Sequence, residues 1–332
     1  MDKVRVGIVG TGGIGHAHLD NLTANGSVEV AAVCDVSRKL GKERAAAVGA
    51  VYYEQADDMF EQAQLDAVFV CVPPFAHGQI EEQAAARGIH LFVEKPLGLE
   101  MASVQRKAAA IEKAGIIHGS GYCLRYMDIV RIARSYLQDK EIGMVRAHYL
   151  SSFVETPWWR DMSKSGGQLV EQSTHTVDLV RYLAGEMSEV YARMDLRFMK
   201  NMDGMNAPDV TSVSVVFESG AIGHIDSTCI QPDHRSGIEL LGRGFRVVID
   251  GSELTIVDDE GTQSFKRDTD FYKAQDDAFI EAVRTGERSL ILSSYTDAMR
   301  TLEVTLRANE SAKSGVPIKL EGFKPESGIS RT

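Results

Sequence analysis

Of 332 residues only four are cysteine, two are tryptophan and eight are proline. The cysteines stand at 34, 71, 123 and 229, so no Cys-x-x-Cys pair is present to seat a metal or run dithiol chemistry. In a chain of this length, usage this sparse reads as reduced thiols, not a disulfide framework. Long apolar runs are also missing. The longest uncharged apolar-rich stretch, Ala67–Ile80, is interrupted by Pro73-Pro74 and falls short of the ~18 residues a membrane-spanning helix needs. The N-terminus carries Asp2, Arg5 and then a glycine-rich segment where a signal peptide would have an unbroken apolar region, so a cytoplasmic protein is expected. Positive charge is the last scarcity: 36 Lys and Arg stand against 47 Asp and Glu, a net charge of −11, with no extended basic run. A net-acidic surface repels a phosphate backbone, which argues against a nucleic-acid partner.

What remains is ordinary globular material, 44% apolar and 25% charged. At roughly 150 residues per domain it is enough for about two domains. Short β-rich runs at Val4–Val9, Val28–Val33, Ala67–Val72, His90–Val93 and Ile116–Gly119 alternate with helical patterns such as Glu81–Arg87 and Met101–Ala114. Continuous apolar strands suit a parallel sheet covered on both faces, with the helices as crossovers, so residues 1–122 read as a doubly wound α/β domain. After a helical stretch at Asp128–Lys140 the rhythm changes. Val210–Phe217 and Ala221–Ile230 flank Glu218-Ser219-Gly220, and Arg246–Ile249 and Glu253–Val257 flank Asp250-Gly251. Consecutive hairpins predict a mostly antiparallel sheet, and helical patterns near Val170–Leu183, Asp270–Arg284 and Ser293–Ser314 make residues 123–332 an α+β domain.

Gly10-Thr11-Gly12-Gly13-Ile14-Gly15 follows the first strand and opens a helical pattern. Glycines in that context let backbone approach a pyrophosphate, which the helix N-terminus stabilises. Asp35, at the end of the second strand, can accept both adenosine-ribose hydroxyls, which favours NAD; it can equally cap the next helix. Arg38 could stack on adenine or neutralise a 2′-phosphate, which keeps NADP open. Other unusual residues follow later strands: Cys71-Val72-Pro73-Pro74 and, shortly after, His77; Glu94-Lys95-Pro96; and Gly121-Tyr122, with Arg125 just beyond. Open α/β sheets bind ligands along that carboxyl edge. There the Lys95 ammonium can bond a substrate hydroxyl and stabilise a developing alkoxide, although a lysine between a carboxylate and a proline can also be a solvated surface pair.

In the second half, Gly166-Gly167 leads into a segment where Glu171, His175 and Asp178, if helical, share one face. An imidazole beside carboxylates can serve as a general acid/base. Two ligands fall short of the usual three for a metal, so none is expected. Trp158-Trp159-Arg160 holds both tryptophans; indole faces pack against sugars or nicotinamide, and Arg160 can bind a phosphate or hydroxyl. His16, His18, His118, His148, His224 and His234 have no comparable context and read as ordinary.

Together, Gly10–Gly15, Pro73-Pro74-Phe75-Ala76-His77, Glu94-Lys95-Pro96 and Gly166-Gly167…His175-x-x-Asp178 resemble the Gfo/Idh/MocA family. The resemblance spans nearly the whole chain. It implies an N-terminal doubly wound Rossmann domain and a C-terminal α+β domain built on a large, mostly antiparallel open sheet whose exposed face commonly mediates dimers or tetramers. It implies NAD(P)-dependent oxidation or reduction of a secondary hydroxyl or ketone in a sugar, inositol or related polyol. By the same resemblance the Lys95-Pro96 bond is cis, Lys95 orients the reacting oxygen, His175 exchanges its proton, and the cofactor touches Glu94, Lys95, Trp159 and Arg160, with Tyr272 a further candidate. Tyr122, Arg125, Trp158 and Glu171 join Lys95 and His175 on the substrate side. The family usually has Asp where Glu171 stands and glycine where Gln168 stands, so Glu171 either touches substrate or orients His175. Two rivals keep the same fold: a glycoside hydrolase or lyase that uses NAD transiently, and a non-catalytic cofactor sensor.

Overall fold

The computed structural model describes residues 3–320. They form two compact units, each described by itself: residues 3–128, 163–165 and 268–299, then residues 129–162, 166–267 and 300–320. The sequence reading divides the chain once, after residue 122; in the structure Asp268–Met299 returns to the first unit.

In that unit, β1 (Val4–Val9), α1 (Gly13–Ala24), β2 (Val28–Cys34), α2 (Arg38–Val48), β3 (Val51–Tyr53), α3 (Ala56–Gln62), β4 (Ala67–Val70), α4 (Ile80–Ala86), β5 (His90–Val93), α5 (Met101–Ala114) and β6 (His118–Ser120) follow in turn. The strands lie in the order β3-β2-β1-β4-β5-β6 and are all parallel, the doubly wound arrangement. Burial explains the apolar runs: Val6, Ile8, Ala67, Val68, Phe69 and Val70 are inaccessible to solvent, since helices cover both faces. The core also takes Phe279, Ile280 and Ala282, which lie late in the sequence.

The next elements are α6 (Asp128–Leu137), β7 (Ile142–Leu150), α7 (Met162–Ser165), α8 (Gln168–Glu171), α9 (Thr174–Ala184), β8 (Met187–Asp195), β9 (Val210–Phe217), β10 (Ile222–Thr228), β11 (Arg235–Gly242), β12 (Phe245–Asp250), β13 (Glu253–Asp258), β14 (Gly261–Lys266), α10 (Phe271–Thr285), α11 (Tyr295–Ser314) and β15 (Ile318–Lys319). Nine strands make one sheet in the order β14-β13-β12-β11-β7-β10-β9-β8-β15, antiparallel throughout except where β10 runs parallel to β7. One face is packed and the other open, as alternation along β9 shows: Val213, Val215 and Phe217 are buried while Ser214 is exposed. The α/β fold expected from the sequence is the fold observed.

The predicted helix Val170–Leu183 is two pieces. α8 ends at Glu171 and α9 begins at Thr174, and the Ser173 amide reaches back to the Gln168 carbonyl at 2.9 Å. The Glu171 to His175 spacing therefore crosses a break, so the two do not share a helical face.

Candidate functional site

The glycine loop fits a dinucleotide. Gly10 turns at φ +85°, and a Cβ there would lie 2.8 Å from the Cys71 carbonyl oxygen; one on Gly15 would lie 2.0 Å from the Gly10 carbonyl oxygen. The loop is thus folded tightly onto itself and onto the end of β4. Gly12 and Gly13 differ: a Cβ at either would meet nothing within 4 Å. They sit at the N-terminus of twelve-residue α1, which has no side-chain cap and no acidic residue in its first turn. Uncapped amides with open space before them form an anion site suited to a pyrophosphate.

Asp35 is engaged by the glycine loop and by its own turn, which leaves less of it free than the two ribose hydroxyls expected from the sequence would need. Its Oδ2 accepts from the Thr11 amide and hydroxyl, each at 2.8 Å, and its Oδ1 accepts from the Ser37 amide at 2.8 Å. A carboxylate has about four acceptor positions, so about one remains for a ribose hydroxyl. Arg38 is highly exposed and gives Nη2 to Glu54 at 2.9 Å, so its charge is already partnered. Cys71 and Val72 pack against Gly10, and Pro74 is buried beside them. His77 is turned inward: its Nδ1 lies 2.6 Å from Glu81 Oε1, and Glu81 Oε2 lies 3.0 Å from Lys107 Nζ. Burial alone would raise the Glu81 pKa, but His77 and Lys107 outweigh it and hold the carboxyl below its ordinary value.

On the same sheet edge, β5 delivers Glu94 and Lys95, and the Lys95-Pro96 peptide is cis. Glu94 is buried and Lys95 half-buried. Glu94 Oε2 accepts the Lys95 amide at 3.0 Å, and Oε1 lies 3.0 Å from Nε2 of His18, whose Nδ1 lies 2.8 Å from Asp276 Oδ1. Reading the sequence missed His18. The signal was present, since His18 shares the buried stripe of α1 with Gly15, Leu19 and Leu22, an apolar face on which a lone imidazole needs a partner. Tyr122 is fully buried, and Arg125, also buried, spends Nη1 on the Leu292 carbonyl at 2.6 Å and Nη2 on Asp297 at 2.6 Å. Tyr272 is half-buried and hydrogen-bonds Cys123.

In the second unit, Trp158, Trp159 and Arg160 lie on a 3-10 turn at Pro157–Arg160. Trp159 is wholly buried with Met205, Ala207 and Cys229, and Trp158 packs on the same cluster while half-exposed. The indole of Trp159 donates Nε1–H to Glu171 Oε2 at 2.9 Å. Glu171 and His175 are both half-exposed, whereas Asp178 is buried and accepts from Thr301 Oγ1 at 2.9 Å. Arg160 reaches Glu155 and lies over the Phe153 ring. Gln168 is buried, with Nε2 donating to Ser151 Oγ at 3.1 Å. Among the described residues no group of three or more His, Cys, Asp or Glu side chains is placed to hold a metal ion.

Residues 4–122 match the family described as "Oxidoreductase family, NAD-binding Rossmann fold", and residues 130–257 match the "GFO/IDH/MocA C-terminal domain". The chain belongs to the Gfo/Idh/MocA oxidoreductase family. As a member it is an NAD-binding oxidoreductase. It is 28% identical to myo-inositol 2-dehydrogenase of Thermotoga maritima, over 96% of this chain and 99% of that protein. It is 26% identical to scyllo-inositol 2-dehydrogenase (NAD(+)) of Bacillus subtilis, over 98% and 99%. Among solved structures, levoglucosan dehydrogenase in complex with NADH and L-sorbose shares this Gfo/Idh/MocA fold at a TM-score of 0.88 and 19% identity, covering 97% of this chain and all of that one.

Proposed function

We propose that this oxidoreductase transfers hydride between nicotinamide and a secondary carbinol or ketone of an inositol, sugar or related polyol, with NAD preferred over NADP. The observation that carries the reading is the shared sheet edge. Gly10–Gly15 follow β1 and Lys95 follows β5, two strands further along, about 10 Å at the spacing of neighbouring strands. An anion site and an ammonium at that separation suit the central pyrophosphate of an extended dinucleotide and the oxygen that reacts beside its nicotinamide end. The similarity to inositol dehydrogenases, almost end to end, supports the substrate class.

Gly12, Gly13 and the first-turn amides of α1 would hold the pyrophosphate, and Asp35 a ribose hydroxyl. Pairing of Arg38 with Glu54 leaves a 2′-phosphate no uncommitted guanidinium there, which favours NAD. Bound NAD supplies the hydride acceptor. Lys95 hydrogen-bonds the reacting oxygen and stabilises negative charge on it. His175 takes the hydroxyl proton in oxidation and returns it in reduction. Glu171, held by the Trp159 N–H, either accepts a second substrate hydroxyl or fixes the His175 ring. Tyr122, Trp158, Arg160 and Tyr272 are the remaining candidates for substrate or cofactor contact; Arg125 and His77 serve by packing the elements that carry them. The open face of the nine-stranded sheet, where Met144 and Ile222 are exposed neighbours on β7 and β10, is the surface proposed for homodimer or homotetramer formation. No helix among the described residues is long and apolar enough to cross a membrane, and all four cysteines are free and buried, which supports a cytoplasmic protein.

The test is a screen of inositols, aldoses and sugar acids against NAD and NADP in both directions, read by the near-ultraviolet absorbance of reduced nicotinamide. Net NADH formation from at least one polyol, with NADP slower, is the expected result. Product formed without net reduction of NAD would favour the transient-oxidation hydrolase, and binding without turnover the sensor.

A further inference from the structure

The clamp of His18, Glu94 and Asp276 lies in the first unit and is assembled from three distant stretches of chain. Its imidazole is fully buried, wedged against the rings of Phe69 and Phe92 with centroids 5.4 and 5.2 Å away. Each ring nitrogen faces a carboxylate oxygen. With both carboxylates ionised each can only accept, so both nitrogens donate, as only the imidazolium does; burial raises the Asp276 pKa, and the hydrogen bonds from His18 and Asn21 oppose that rise. Asp276 Oδ2 takes a further bond from Asn21 Nδ2 at 2.8 Å. Glu94 is confined from the other side as well. A Cβ on Gly121 would lie 2.3–2.5 Å from its carboxyl atoms, so the bare backbone after β6 presses directly on the carboxylate. Its second oxygen holds the Lys95 amide.

We propose that His18 is a positioning residue, a buried imidazolium that fixes the Glu94 carboxylate and, through the Glu94 to Lys95 amide bond, the backbone that carries the Lys95 ammonium. Because α1 begins at the glycine loop, the same side chain ties the pyrophosphate-binding helix to the lysine turn and to α10. The proposal rests on the reading of Lys95 as the group at the reacting oxygen. Burial opposes the imidazolium, but hydrogen bonds and Coulomb attraction from Asp276 and Glu94 outweigh it and push the His18 pKa to about 10. The other titratable groups facing these carboxylates do not compete for the role. Burial, Glu94 and Asp276 hold the Cys71 thiol neutral, and burial and Glu94 do the same for Cys123.

The experiment compares wild type with His18→Gln, whose neutral amide cannot donate to both carboxylates from ring positions, and with Gly121→Ala, which displaces Glu94 without touching His18. Two readouts need no substrate: the protonation state of the His18 ring by nitrogen NMR, and hydrogen exchange at the Lys95 amide. His18 should stay doubly protonated across neutral pH. Both variants should exchange the Lys95 amide about tenfold faster or more, the effect of losing one charge-assisted hydrogen bond. Asn21→Ala, which slackens only the Asp276 side, should change Lys95 exchange less than either. With a polyol that wild type turns over, kcat should fall by a similar factor while the NAD-induced rise in melting temperature persists. A neutral His18 at neutral pH, or wild-type Lys95 exchange in a folded His18→Gln, overturns the proposal. If wild type turns over no polyol while the exchange results hold, the functional reading fails and the clamp stands.

Discussion

Gly12→Ala separates the cofactor account from simple folding requirements. In the apoprotein a Cβ at Gly12 meets nothing within 4 Å, and the residue sits at φ −65°, a value alanine adopts without strain. Replacing glycine at such a site stabilises by about 0.4–1 kcal/mol, chiefly by restricting the unfolded chain. Gly12 is also the N-cap of α1, where alanine is disfavoured by about as much, so the apoprotein should melt close to the wild-type temperature. In the proposed assignment a pyrophosphate approaches the α1 amides on this open side, so the added methyl should displace it. NAD at a hundred times its Kd stabilises a native state by about 2.7 kcal/mol, and this increment should shrink or vanish in the variant. Thermal scans with and without NAD, backed by titration calorimetry, read both quantities. Gly15→Ala is the contrast: its Cβ would fall 2.0 Å from a backbone oxygen, so it should lower the melting temperature even without NAD. If Gly12→Ala shows the full wild-type shift with NAD, the loop is not at the pyrophosphate and the assignment of this edge is wrong.

Other parts of the molecule answer to separate measurements. Trp159→Phe keeps an aromatic ring but removes the donor to Glu171; a hydrogen bond to a charged group contributes about 1.5–3 kcal/mol, so kcat should drop by about tenfold or more in a folded protein, and an unchanged kcat would show that Glu171 needs no such anchor. Glu54→Ala releases Arg38 and should raise NADP affinity by up to about fivefold with NAD affinity unaltered, since exposed ion pairs are worth ~1 kcal/mol or less. Equal affinities before and after would exclude Arg38 from the ribose site. His18 has a folded-state pKa raised from 6.5 to about 10, so its contribution is whole below 6.5 and is lost as pH climbs through about 10. The loss should appear as a falling urea midpoint in alkali that His18→Gln flattens.

Where local chemistry decides the structure, the sequence was readable. The first five apolar runs became β1, β2, β4, β5 and β6 because each is buried on both faces by its own crossover helices, and the glycine loop announced itself by following a strand. β3 escaped notice because its three residues, exposed Val51 and half-buried Tyr52 and Tyr53, carry little pattern. β7, β8, β11 and β14 were missed for a related reason: a sheet with one open face places charged residues such as Arg146 and Glu239 inside its strands. The break between α8 and α9 lies within an unbroken helical periodicity, and only the Ser173 amide reaching to Gln168 reveals it. Least legible were the polar contacts made across the chain. His18 and Asp276 are 258 positions apart, and nothing in either neighbourhood names the other. Trp159 invited a reading as a cofactor-facing ring, yet its buried indole is bonded to Glu171.

The proposed roles of Lys95 and His175, polarising the alcohol oxygen and taking its proton while NAD held at the glycine loop takes the hydride, meet in one rate. That rate is single-turnover NADH formation, measured with saturating NAD and the best polyol from the screen, for wild type, Lys95→Ala, His175→Ala and the double variant. Each single variant should slow hydride transfer by about 10²–10⁴ with NAD affinity preserved, and the double variant should be little worse than the poorer single one, since the two groups serve one event. Wild-type rates in either single variant, or strictly multiplicative losses in the double, would contradict the account.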